Sequence, residues 1–134
     1  MKMALVIISI IIVGIGLIFI TAKPASTTSK DGGDQASSWQ KLTTDLQNGS
    51  LLVDVRTAEE FASGHIDGAT LLPLADIQNG TVPGQDKSKP IYVYCRSGSR
   101  SAQAKSSLQK AGFTNVIDLG AMTSVINMGG KSIK

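Results

Sequence analysis

The 134-residue chain has one cysteine, Cys95, and one histidine, His65. A lone cysteine excludes an internal disulfide. Together with His65 it falls short of the four ligands a structural zinc site takes, so neither a metal nor a cofactor is expected. Charge is also scarce. Asp, Glu, Lys and Arg make up 17% of the chain, and the formal net charge is +3. No basic tract tracks a phosphate backbone, so no nucleic-acid partner is expected. Internal repeats are absent as well.

The longest apolar run is residues 3–20, MALVIISIIIVGIGLIFI, which carries no charge and has Ser9 as its one polar side chain. Eighteen residues of helix rise about 27 Å, close to the roughly 30 Å of a bilayer's hydrocarbon. A buried core helix would need apolar partners on every side, which a domain this small cannot supply. The run exceeds the h-region of about 7–15 residues of a secretory signal. The nearest cleavage point, after Ala22, has Ile20 two positions before it and Lys23-Pro24 behind it. Residues 1–22 are therefore expected to be an uncleaved membrane anchor that places the following domain outside the cytoplasm. The alternative is an exported soluble protein after signal cleavage. Residues 23–37 are rich in Ser, Thr, Gly and Asp without periodicity, and they read as a flexible linker. Residues 38–134 are left as one domain, long enough to bury a core.

Within that domain the pattern is regular. Trp39, Leu42 and Leu46 share one helical face, and Asn48-Gly49 ends it. LLVDV (51–55) reads as a short buried strand. Thr57 with Glu60 three residues on forms a capping box, which predicts a helix over 58–63. Strands are predicted over 69–74, 90–94 and 115–119, and a helix over 101–111, closed by Gly112. Short apolar strands alternating with helices indicate an α/β fold, a parallel sheet covered on both faces. Ligands of such sheets bind beyond the carboxyl ends of the strands.

Cys95 stands at such an end, in IYVYCRSGSRSAQAK (91–105). A thiolate is the reactive form, and an ordinary thiol is mostly protonated at neutral pH. Backbone N–H groups of a tight loop (Ser97, Gly98, Ser99), the positive end of the next helix, and Arg96 and Arg100 all favour the anion. A buried structural cysteine would account for Cys95 alone, not for this loop. His65 has no partner at a telling spacing and reads as structural. Asp54 and Arg56 read as a local hydrogen-bonded pair, and Tyr92 and Tyr94 as packing.

Two motifs carry a resemblance. DVRTAEEFASGHIDGATLLP (54–73) and YVYCRSGSRS (92–101) together resemble the single-domain rhodaneses, the thiosulfate sulfurtransferase type, over residues 38–120. The resemblance implies a mostly parallel sheet of about five strands with helices on both faces. It implies that Cys95 is the catalytic residue and takes a sulfane sulfur as a persulfide. The donor would be a small anion such as thiosulfate and the acceptor a thiol or cyanide-like thiophile. Arg96, Ser97, Gly98, Ser99 and Arg100 would hold the anion, while Asp54, Arg56 and His65 match structural positions. The turn-rich segment 75–89 and an ending without the usual Gly-Gly and tryptophan depart from the pattern. A non-catalytic persulfide carrier or docking module is the alternative function. A phosphatase-like enzyme fits less well, because four residues separate Cys95 from Arg100 where such sites have five.

Overall fold

The computed structural model of the chain describes residues 31–134. The expected anchor, 1–22, and the first part of the linker lie outside the described residues. Among these, no helix is long and apolar enough to cross a membrane. Helix α1 (Asp31–Gln47) begins seven residues before the expected domain boundary at 38, so the end of the expected linker is helical. Once Trp39, Leu42 and Leu46 fix the later turns, the helix is already nucleated and each added residue gains one backbone hydrogen bond.

β1 (Leu51–Asp54) follows, then α2 (Ala58–Ser63), β2 (His65–Ile66) and β3 (Ala69–Leu71). The capping box is formed as predicted: Glu60 N–H donates to Thr57 Oγ1, and Thr57 N–H to Glu60 Oε2. Beyond β3 the pairing with β1 continues, since Leu72 N–H reaches Asp54 O and Leu74 N–H reaches Val55 O. Pro73 then starts the short α3 (Leu74–Gln78). β4 (Ile91–Cys95), α4 (Ser99–Lys110), β5 (Val116–Ala121), α5 (Met122–Met128) and β6 (Ser132–Ile133) complete the order.

The main sheet is parallel, ordered β3-β1-β4-β5. It has four strands where the resemblance implied about five. The remaining extended pieces, β2 and β6, are two residues each and pair antiparallel with one another. They are too short to add an edge to the sheet, and Tyr94 Oη fixes β2 by accepting from Ile66 N–H.

Side chains alternate across the sheet as the strand period requires. Val53, Val55, Ile91, Val93 and Cys95 face α3 and α4, where Ile77, Ala104 and Leu108 meet them. Leu52, Tyr92 and Tyr94 face the other way, onto Leu42 of α1 and Val125 of α5. This arrangement sets the site. From β1 the chain turns toward β3, and from β4 it turns toward β5. The carboxyl ends of β1 and β4 thus flank the point where the connections diverge, which is where a crevice opens in an open parallel sheet.

Candidate active site

Cys95 ends β4 and is fully buried. Gly98 adopts a left-handed conformation, φ 100° and ψ −19°, which lets the loop fold back in three residues. Its N–H then donates to Cys95 Sγ at 3.0 Å. The next helix starts at Ser99, two residues earlier than predicted, because the turn is complete at Gly98 and Ala102 N–H already bonds Gly98 O. Burial pushes the Cys95 thiol up. The N–H groups of Ser101 and Gly98, the Ser101 hydroxyl and the N–H of Ser97 outweigh it, so the pKa is lowered overall.

Ser101 was read from the sequence only as a helix start. It is buried, with Oγ 3.7 Å from the sulfur, and it donates to Gly98 O at 2.9 Å. Its position six residues after Cys95, inside the loop motif, is the signal that could have marked it.

β5 closes the far side of the loop. Its register with β4 slips by one residue: Val93 pairs with Asp118 but Tyr94 with Gly120. Gly120 has φ 76°, and its N–H bonds Asp118 Oδ1 at 2.8 Å. Gly98 packs against the Gly120 backbone: a Cβ at Gly98 would lie in van der Waals contact, 3.5 Å from Gly120 Cα.

The expected loop arginines part company. Arg96 is exposed, as are Ser97 and Ser99. Arg100 is partly buried, and its guanidinium is held by Glu60 through Nη1–Oε2 at 2.6 Å and Nη2–Oε1 at 2.9 Å. A cation in the first turn of a helix is disfavoured by the helix dipole, and this carboxylate offsets that. The Arg100 hydrogen bonds hold the Glu60 carboxyl down to about 2. In turn Glu60 raises the Arg100 pKa, and a Cys95 thiolate adds to the effect. The sequence shows Glu60 plainly, but as a capping residue; its second role needed the fold.

Asp54 and Arg56 form the expected pair. Arg56 Nε and Nη2 reach Asp54 Oδ2 at 3.0 and 2.6 Å, and Nη2 also reaches Gly64 O at 2.6 Å. Tyr94 Oη donates to Asp54 Oδ2 at 2.8 Å. Burial raises the Tyr94 pKa, which keeps this hydroxyl a donor. Tyr94 is therefore more than packing: it links β4, β1 and β2. His65, expected to be structural, has Nδ1 3.0 Å from Phe61 O and its ring stacked on Phe61 at 3.7 Å. A cleft of about 240 Å³ opens beside Arg100, lined by Val55, Thr57, Pro73, Leu74 and Gln78 among others. Among the described residues no cluster of His, Cys, Asp and Glu is suited to hold a metal ion.

The rhodanese-like domain family matches residues 38–124. Thiosulfate sulfurtransferase PspE of Escherichia coli is 32% identical over 74 residues, covering 54% of this chain and 71% of that protein. A sulfurtransferase of Allochromatium vinosum is 42% identical over 71 residues, and the chain spans 64% of its length. The crystal structure of a rhodanese-like domain of the Alr3790 protein from Anabaena superposes with a TM-score of 0.58 at 31% identity. That match covers 64% of this chain and all of the other.

Proposed function

The chain belongs to the rhodanese-like domain family, and from that premise we propose that it moves a sulfane sulfur from thiosulfate, or a similar anionic donor, to a thiol or cyanide-like acceptor. The observation that carries this reading is the buried Cys95 sulfur facing the Gly98 N–H at 3.0 Å, in a loop that lowers its pKa. The Cys95 thiolate attacks the outer sulfur of thiosulfate. A new S–S bond forms, the S–S bond of thiosulfate breaks, and sulfite leaves with the electron pair. The acceptor then attacks the outer sulfur of the persulfide, and the Cys95 thiolate departs. Each step leaves an anion on sulfur within the loop, where the same N–H groups serve the thiolate and the persulfide. The exposure of residues 96, 97 and 99 supports a donor route through this loop to the buried sulfur.

Thiosulfate turnover with cyanide, followed as thiocyanate, tests the proposal. Steady turnover is expected in the parent and none in Cys95→Ser. A single stoichiometric transfer without turnover would make the protein a persulfide carrier instead.

We further propose that residues 3–20 anchor the protein in a membrane, with the domain outside the cytoplasm. Support comes from the uninterrupted apolar run and the poor cleavage site. N-terminal sequencing of protein from native membranes should find the start intact. A soluble form beginning near Lys23 would mean a cleaved signal.

A further inference from the structure

One ion pair bridges the crevice at the centre of the sheet. Glu60 follows β1 on α2, and Arg100 follows β4 on α4; the two meet across the point where the connections diverge. The contact is a two-pronged one, at 2.6 and 2.9 Å. Its side chains remain 31% and 26% exposed, within reach of a solute. Glu60 is also tied to its own helix cap, since Oε2 accepts from Thr57 N–H at 3.1 Å. The carboxylate is therefore held from two sides, by its own helix cap and by Arg100. The charged groups facing Arg100 are Glu60, Cys95 and Asp54, and those facing Glu60 are Arg100, Arg56 and Glu59.

We propose that Glu60 is a specificity-determining residue: its fixed negative charge occupies Arg100 in the free protein and limits how strongly anionic donors and the leaving sulfite are held. The proposal rests on the sulfur-transfer reading for its substrate, though not for its electrostatics. A dianionic donor must approach a thiolate, and cations close by ease that approach. Without Glu60 the full charge of Arg100 would act on the loop. Donors would bind tighter, and sulfite would leave more slowly. With Glu60 present, Arg100 is already neutralised, so a donor must either compete with a carboxylate for the guanidinium or bind with less help from it.

Glu60→Gln keeps the shape and the cap acceptor and removes the charge. The test uses the full chain and compares alkylation of Cys95 by iodoacetate, an anion, with iodoacetamide, its neutral counterpart. The ratio of the two rates cancels any change in the thiol's own pKa. Removal of one fixed charge from this partly wet site should raise the ratio about three- to fivefold. Glu60→Asp, which restores the charge, should bring it back toward the parent value. In turnover, Glu60→Gln should lower KM for thiosulfate without raising kcat. An unchanged ratio in folded Glu60→Gln overturns the proposal. So does a Glu60→Gln variant that fails to fold, since that would make the residue structural. A raised ratio in a protein that never takes up sulfur would uphold the role of Glu60 and refute the sulfur-transfer reading alone.

Discussion

Asp54 is the hub of a buried network of hydrogen bonds beneath the site. It is wholly buried, and its carboxylate accepts from Arg56 N–H, Arg56 Nε and Nη2, and Tyr94 Oη. Arg56 is nearly as buried and passes the link on to Gly64 O. Breaking a buried pair by removing one charge costs about 3–5 kcal/mol, because the other charge is left uncompensated. Asp54→Asn keeps some of the hydrogen bonds, so a loss of about 3 kcal/mol is expected. Urea unfolding should show a clearly lower midpoint at an unchanged slope. A midpoint equal to the parent's would contradict the structural role. Asp54 and Arg56 were legible as a pair from their place at a strand end. Tyr94 was not, because its hydroxyl finds partners on strands β1 and β2, distant in sequence.

At the scale of elements, what the sequence revealed was local. The capping box marks α2 at Ala58–Ser63, the same residues as predicted, because Thr57 and Glu60 carry the signal themselves. The core strands β1 and β4 are apolar on both faces and stood out for that reason. What was hidden depends on contacts between distant segments. β2 and β6 are two residues each and exist because they pair with each other across most of the domain. α5 has no side-chain cap, and one fully buried residue, Val125, holds it to the core. The slip in β5 at Gly120 leaves no periodic trace, yet it brings Gly120 up to Gly98. For the site, the sequence held Cys95 and its loop. The partner of Arg100 could not be read, because Glu60 lies forty residues away and was fully accounted for by its cap.

At the scale of the molecule, four parallel strands ordered β3-β1-β4-β5 turn two separate motifs into one place. The motif at 54–73 leaves β1 on one side, and the motif at 92–101 leaves β4 on the other. Their side chains meet through Glu60 with Arg100 and through Tyr94, whose hydroxyl donates to Asp54 and accepts from Ile66 N–H. The proposed function requires that Cys95 in this setting accept a sulfur atom. Intact mass of the full chain after incubation with thiosulfate measures this most directly. A gain of one sulfur is expected in the parent, reversed by a thiol reductant and absent in Cys95→Ser. A parent that gains no sulfur while its Cys95 remains open to alkylation, or a gain that persists in Cys95→Ser, would contradict it.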